Sequence, residues 1–484
     1  MSKIKINIIY NLAYQILVLI VPLITSPYVS RALGVHGIGV YSYVSSVVYY
    51  FFICVTLGLT NYGNRSIAKC RDDKKQRSVT FWSIYKMQFL VGVLILLLYA
   101  TYVLCAAEDK YRIYFIVYLL HIFGACLDIN WFFFGMEEFK FTTIRNAIIK
   151  IITLIAIFVF VKGDHALISY FFIVASSTLL SNLFLWTRLF KYVSYYRASL
   201  RESLLHLKPN LILFLPIVAM SIYRVMDKIM IKELSGIIEN GYYENADRII
   251  TISLTAFSAI ATVMMPAISN MVANNNDVKV KQMLRDMMQV VNVFSIAMVF
   301  GLIAIANRFA PLFFGDEFVE TGALLVGLSP TIFLSGWKNV LRSQYIIPYE
   351  KDKAYVFSLV IGAICNVIVN MIFIPKYGAR GAIIGTLMAE LVGFIIQTYV
   401  VAKDVDIKVL FKDFVRFIPA GVIMGILAYK ILYLMPNNMF SIAIVVLLGG
   451  CIYVCLAGLT LYISDKNRFD YLLSMCLRRR KMVN

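Results

Sequence analysis

The stretch SIYRVMDKIMIKE, Ser221 to Glu233, places Arg224, Asp227 and Lys228 three and four residues apart, so a helix puts all three on one face. It continues the apolar run PNLILFLPIVAM, and the two together predict a single helix. A base beside an acid in such a place can neutralise it, or can help present a positive surface to an anion. Arg suits phosphate because its planar fork donates two hydrogen bonds at once. A charge at mid-bilayer costs at least about 2.5–3.5 kcal/mol, so these groups are kept where they face water or one another. Counted from Asn210, Arg224 lies roughly 20 Å along the helix and Lys228 about 27 Å. Two arrangements meet the cost: an internal Arg224–Asp227 pair with Lys228 at the outer interface, or a cationic wall of a hydrated cavity. The second is favoured.

Other charges inside apolar runs extend the choice. Arg31 ends the first run and is either a cavity residue or an interfacial anchor. Lys338 and Arg342, in GWKNVLRSQYIIP, are four residues apart on the inner half of their helix and are expected at a cytoplasmic mouth. Glu390, in GTLMAELVGF, sits mid-span, where an acid either pairs with a base across the bundle or titrates with protons. Asp128, in DINWFFFGMEEF, lies within two turns of an inner helix end. Lys86 and Lys150 lie near such ends too, where long side chains snorkel to the interface. The mid-membrane excess is basic, which favours an anionic cargo over an organic cation. The His and Cys residues show no metal-ligand spacing, and no nucleotide loop or catalytic triad signature is present. No metal, cofactor or catalytic residue is expected.

The elements that must position these residues are membrane helices. Of 484 residues 61% are hydrophobic and 15% charged, with mean hydropathy +0.78. Soluble domains carry a larger charged share, and long uncharged runs indicate membrane spans. About fourteen such runs fall between residues 8 and 463, giving an all-α integral membrane protein. The first reads as a retained span rather than a removed signal peptide. Lys and Arg gather in alternate loops, which predicts both termini in the cytoplasm and accounts for the net charge of +19 without nucleic acid. The loops are too short for a soluble catalytic domain. The connection at 188–209, with YRASLRESLLHLK, reads as an amphipathic linker along the inner surface. It separates a six-helix lobe at 1–187 from another at 210–402, followed by two extra helices and a basic tail at 403–484. Asn11, Pro22, Arg31 and Tyr41 recur in order as Asn210, Pro216, Arg224 and Tyr242, each series with a glycine before its tyrosine. Two pseudo-symmetric lobes fit that order.

PLITSPYVSRALGVHGIGVYSY, LGLTNYGNRSIAKCRD, DINWFFFGMEEFKF, LKPNLILFLPIVAMSIYRVMDKIMI and SPTIFLSGWKNVLRSQYIIPYEKDKAY resemble one family. It is the Wzx-type flippases of O-antigen and capsule repeat units, in the multidrug/oligosaccharidyl-lipid/polysaccharide exporter superfamily. The resemblance covers about residues 5 to 405. It implies movement of an undecaprenyl-diphosphate-linked oligosaccharide from the inner to the outer leaflet of the bacterial cytoplasmic membrane. Two six-helix lobes, a V-shaped cationic cavity, alternating access and two further helices are implied with it. The family's pyrophosphate-holding role falls on Arg31 and Arg224, and more weakly on Lys228. Coupling in the family is to protons or to the membrane potential, and Glu390 and Asp128 are the acids to test for the first. The expected partners are the lipid-linked oligosaccharide, the bilayer and polysaccharide polymerase machinery, with the protein a monomer. A peptidoglycan-precursor flippase, a cation-coupled multidrug exporter and a polytopic polymerase are the rival readings. The basic bias opposes the exporter, and the short outer loops oppose the polymerase.

Overall fold

A computed structural model describes the backbone of residues 3–466 and 470, with side chains from residue 17 onward except at 223, 256 and 259–263. The Asn11 side chain and the basic tail residues Arg478 to Lys481 lie outside that description. Among the described residues every element is helical. Eleven stretches among them are long and apolar enough to cross a membrane, or twelve if the pair Asp316–Leu328 and Pro330–Ile346, bent by 44°, is one span. The chain is a multi-pass membrane protein. It divides into two compact units, Met1–Glu244 with Asn370–Ala382, and Asn245–Val369 with Ile383–Asn484.

In the first unit the long run Lys3–Thr56 breaks at Gly34, whose φ of 64° and ψ of 178° belong to a region open essentially to glycine alone. The break separates α1 (3–33) from α2 (35–56). Next come α3 (Leu59–Lys69), α4 (Lys74–Cys105), α5 (Asp109–Cys126), α6 (Asn130–Gly135), α7 (Phe139–Phe160), α8 (Ala166–Leu189), α9 (Leu200–Leu205) and α10 (Leu207–Leu234). The first turns of α11 (Ile237–Ala273) also belong to this unit. They lie against α2 so closely that a Cβ on Gly39 would meet the Ile237 carbonyl, and one on Gly241 would meet that of Val35. Asn240 Nδ2 donates to the Gly39 carbonyl at 3.0 Å across this contact.

Two apolar clusters fill the unit. One joins Val44 and Val48 of α2, Tyr99 of α4, Phe115 and Tyr118 of α5 and Phe171 of α8. The other receives the run Trp131–Phe133 of α6 against Phe81 and Ile84 of α4 and Leu185 of α8. The run sits there because α5 stops at Cys126 and α6 starts afresh at Asn130, a break inside the apolar stretch Asp109–Gly135. Carbonyls freed in hydrocarbon cost several kcal/mol each by order of magnitude if left without donors. Side chains bring donors to four carbonyls at the break, and those of Gly124 and Ala125 also accept from Leu127 N and Asp128 N. Asn182 Nδ2 donates to Gly124 O (2.8 Å), Gln88 Nε2 to Ala125 O (3.3 Å) and Asp128 O (2.8 Å), and Trp186 Nε1 to Leu127 O (3.0 Å). Gln88 Oε1 accepts in turn from Trp131 Nε1 at 3.1 Å.

The same device ties the connection at 188–209 to α4. Arg77 Nε donates to Tyr192 O (3.0 Å), Trp82 Nε1 to Ser194 O (3.0 Å) and Lys86 Nζ to Ala198 O (2.8 Å). Lys86, expected to snorkel, is thus a rung of a ladder. The segment is an extended strap held at successive carbonyls, and its helical part, α9, is six residues long with a Ser199/Glu202 capping box.

The second unit holds the rest of α11, α12 (Asp277–Phe314), α13 (Val319–Leu328), α14 (Pro330–Leu341), α15 (Asp352–Tyr377), α16 (Ala379–Ala402), α17 (Ile407–Leu434) and α18 (Met439–Ser464), with α15 and α16 shared at their adjoining ends. Ala420, Met424 and Ala428 of α17 pack on Ile296 and Ala304 of α12 and on Val445 and Tyr453 of α18. Small side chains on α17 let the helices approach closely, as membrane helices without a hydrophobic drive must do. Trp337 of α14 seats its ring against Phe394 of α16 and Phe411 of α17, and its Nε1 donates to Thr398 Oγ1 at 3.1 Å.

Replacing Gln88 with Leu removes the side-chain donor to the Asp128 carbonyl and the acceptor for Trp131, while the Ala125 carbonyl keeps the Asp128 N–H. Thermal unfolding in detergent should show a loss of roughly 1–3 kcal/mol for each group left unsatisfied, and an unchanged melting temperature would refute the capping role. Glu108, just before α5, accepts a hydrogen bond from Lys232 at the end of α10. Lys232 first, then Lys110, holds its carboxyl below the ordinary value of 4.5. The resulting stability is full above that value and is lost as pH falls through the lowered one. Glu108→Gln should therefore flatten the acid limb of a melting-temperature profile.

Candidate functional site

The helix that carries Arg224, Asp227 and Lys228 sends the three to different partners. Asp227, 3% exposed, accepts from Tyr243 Oη (2.9 Å) and Asn370 Nδ2 (2.6 Å). Lys228 Nζ lies 2.7 Å from a Glu244 carboxylate oxygen that also accepts from Ser42 Oγ at 3.0 Å. Arg224 is exposed and makes no ion pair among the described residues. Lys228 is matched by an acid and Asp227 by neutral donors, while Arg224 keeps its charge and its five donors available. Tyr49 of α2 lies within electrostatic reach of it, and Tyr50 donates to the Ser221 carbonyl at 3.4 Å. An Arg224–Asp227 pair, one of the two arrangements open from spacing alone, is not the one adopted. Arg31 is exposed one turn before the break at Gly34, and no described contact joins it to Arg224.

In the second unit the fold brings together two residues that stand far apart in sequence. Lys338 Nζ of α14 lies 2.8 Å from Glu390 of α16, the side chains 13% and 6% exposed, and Ser335 Oγ donates to the same carboxylate oxygen at 2.6 Å. Of the two roles open to Glu390, the pairing with a base is present. Arg342, one turn after Lys338, lies in a π-helical turn. It donates to Asn339 Oδ1 (3.1 Å) and lies 5.7 Å from the Tyr355 ring centroid.

Asp128 is occupied locally, its Oδ1 accepting from Asn130 N (2.8 Å) and Asn130 Nδ2 (2.6 Å), while Arg145 Nη2 donates to Asn130 Oδ1 at 2.8 Å. The Asp128 bond with Asn130 N satisfies one backbone donor where α6 begins, after the helix break. No group of three or more His, Cys, Asp or Glu converges on a metal-sized point among the described residues.

Sequence reasoning missed Glu244, Tyr243, Asn370 and Ser42. The signal was present for two of them. Asn366 and Asn370 are four apart inside the apolar run NVIVNMIF, and Glu244 stands at the start of an apolar span, each a polar group that hydrocarbon does not tolerate alone. Which charge each would meet is not written in local spacing.

The arrangement of helices matches known membrane transport proteins. A structure of the lipid II flippase MurJ in an inward closed conformation superposes with a TM-score of 0.78 at 18% identity, covering 94% of this chain and 99% of that one. An inward-facing multidrug resistance MATE family transporter of the MOP superfamily gives 0.62 at 14% identity, over 82% and 98%. The fold is therefore that of this group of polytopic transport proteins. In sequence, residues 4–272 match the family described as "Polysaccharide biosynthesis protein", which is more than half the chain, and residues 233–450 match the pattern of the lipid II flippase MurJ. The chain belongs to the polysaccharide biosynthesis protein family. Among curated relatives, the "Putative O-antigen transporter" of Escherichia coli (strain K12) is 23% identical over 392 residues, 79% of this chain and 93% of the relative. The "Probable low-salt glycan biosynthesis flippase Agl15" of Haloferax volcanii is 24% identical over 224 residues, 44% of this chain and 45% of the relative.

Removing one partner of a buried ion pair leaves the other uncompensated, at about 3–5 kcal/mol, whereas replacing both with apolar residues is often neutral. Lys338→Met alone should lower thermal stability strongly, and Lys338→Met with Glu390→Leu should recover most of it. Additive losses in that double-mutant cycle would mean that the pair is not coupled.

Proposed function

We propose that this protein is a flippase that moves undecaprenyl-diphosphate-linked oligosaccharide repeat units across the bacterial cytoplasmic membrane for surface polysaccharide synthesis. The observation that carries the reading is Arg224, exposed and without an ion pair among the described residues, beside an acid and a base that are already engaged. An arginine in this state has use for an anion with several oxygens, and a diphosphate offers them to its fork. The prenyl tail stays in hydrocarbon, so only the charged, sugar-bearing head needs a polar route, and its lost hydration is replaced by side chains. Arg224 and Arg31 are assigned to the diphosphate. Lys228 and Lys338, paired with Glu244 and Glu390, join them when those pairs part during alternating access, with Arg342 at the inner mouth. The acids Asp227 and Glu390 set the charge balance of the route, and Glu390 is the one assigned to proton coupling. Asp128 serves the start of α6.

Fourteen spans are part of the proposal. The break at Gly34 supports two spans in the first stretch, the bent pair supports another, and the 37-residue α11 supports one more. An even count keeps both termini in the cytoplasm, as the loop charges require. The lobes are assigned to 1–187 and 210–402, and the protein acts as a monomer alongside the polymerase machinery. The names of the E. coli and H. volcanii relatives support the substrate class. The MurJ pattern over residues 233–450 and the fold likeness favour one second reading, a peptidoglycan precursor on the same diphosphate carrier.

Arg224→Ala should abolish surface polysaccharide in cells at unchanged protein level. Losing a charge-assisted contact costs about 1.5–3 kcal/mol, a tenfold or greater loss of occupancy. Normal export would remove Arg224 from the route. Arg224→Lys keeps the charge but not the fork and should give intermediate export, whereas full activity would exclude two-point phosphate binding. For Glu390→Gln, an unchanged pH dependence of transport would reject proton coupling at that residue. Rescue of a strain lacking its peptidoglycan flippase, with no effect on repeat-unit export, would select the second reading.

A further inference from the structure

Helices α7 and α8 carry a long trough on the outside of the first unit. Two adjoining cavities of about 410 and 600 Å³ share Ile149 and together follow α7 from Glu138 to Phe160. The 22 residues of α7 make a helix roughly 33 Å long, close to the thickness of the hydrocarbon core. The rims are bilayer-facing, with Ile152 and Phe172 just over half exposed. The floor is made of small side chains, among them Ala156 and Ser176. Small residues in membrane helices usually let backbones touch. Here they recess a cavity instead, and an apolar hollow left unfilled forfeits the dispersion contacts of its walls. Thr153 and Ser177 turn their hydroxyls to the carbonyls of Ile149 and Val174, both at 2.8 Å, so the larger cavity is apolar despite its hydroxyl residues.

One end of the trough differs. The smaller cavity is lined by Lys140, Arg145 and Arg188 against a single acid, Glu138, which accepts a hydrogen bond from Tyr192. Arg145 is 3% exposed and fixed on Ser181 O (3.0 Å) and Asn130 Oδ1 (2.8 Å). The Arg188 guanidinium lies 4.7 Å from the Phe141 ring centroid, which preorganises it at the mouth. A hydrocarbon channel that ends in a cluster of cations is complementary to an acyl chain that ends in a phosphate.

We propose that the trough between α7 and α8 is a binding site for a diacyl phospholipid with an anionic headgroup. The phosphate sits at Lys140 and Arg188, and an acyl chain runs over Ile149 and Ala156 toward Phe160. Basic pockets between membrane helices take such headgroups. A zwitterionic lipid fills the hollow but makes no use of the excess of cations, and a soluble phosphate makes no use of the apolar length. The site is independent of the flippase reading, since it concerns the lipid face of one unit and not the cargo route.

The test uses the purified full-length protein in detergent, stripped of lipid. Dioleoylphosphatidylglycerol, dioleoylphosphatidylcholine and undecaprenyl diphosphate are added separately, and binding is read by native mass spectrometry and melting temperature. Phosphatidylglycerol should bind in preference to phosphatidylcholine and raise the melting temperature, and undecaprenyl diphosphate, added after it, should not displace it. Lys140→Gln with Arg188→Gln should weaken it roughly thirtyfold, from about 1 kcal/mol for each basic residue near a lipid surface, and leave phosphatidylcholine unchanged. Ser176→Leu, with both cations intact, should exclude the lipid by filling the floor, and Lys162→Gln at the far end of α7 should have no effect. Equal binding of phosphatidylcholine, or undiminished phosphatidylglycerol binding in the double variant, overturns the proposal, as does loss of undecaprenyl diphosphate binding in the double variant to the same extent as phosphatidylglycerol. Should the double variant fail to fold, undiminished binding in Ser176→Leu overturns it alone.

Discussion

A carbonyl or a charge placed in hydrocarbon has no water to turn to, and most of this structure can be read as the set of answers to that constraint. Where α5 stops, Gln88, Asn182 and Trp186 bring donors to the freed carbonyls, which fixes α4 and α8 against the break. Where the strap crosses α4, Arg77, Trp82 and Lys86 do the same for an extended segment. Charges follow the same rule through Lys228 with Glu244 and Lys338 with Glu390. Against that background an exposed Arg224 stands out chemically, because its neighbours on the same helix face are satisfied.

The pairs also say how bases can be held among apolar helices without tearing the fold apart. Bases facing one another without acids repel and lose hydration, so a lumen lined by bare cations alone would be costly to keep closed. Setting Lys228 and Lys338 each on a carboxylate keeps the resting protein near neutrality at those points. The Ser42 and Ser335 hydroxyls steady the acids, so each pair is a small hydrogen-bonded network rather than an isolated contact.

Much of the fold is legible in the sequence because hydropathy is a local property. The apolar runs and the glycine break around residue 34 declare themselves in short windows, whereas the extended course of the strap along α4 does not. The bent stretch at 316–346 gives a weaker signal because Pro330 starts a second helix within it. The polar opening of α11, with Glu239, Asn240 and Glu244, keeps that helix from standing out as a simple apolar span. The site is legible only in part. Arg224, Lys228, Lys338 and Glu390 are conspicuous as charges in apolar surroundings, but their partners are chosen by packing. Nothing near Lys338 points to Glu390, and nothing near Asp227 points to Asn370. Lys86 shows the converse error: its depth suggested a headgroup contact, and a backbone carbonyl of the strap claims it.

The contact of Gly39 with Ile237, mirrored by Gly241 with Val35, brings the main chains of the opening turns of α2 and α11 together. Gly39 and Gly241 each stand shortly before the tyrosine of the repeated Asn, Pro, Arg, Tyr order. The Asn240 amide clasps the Gly39 carbonyl at the same point, so parting the two turns breaks a side-chain hydrogen bond as well as the backbone contact. The smallest substitution, a methyl group on either glycine, would act as a shim and hold the seam ajar.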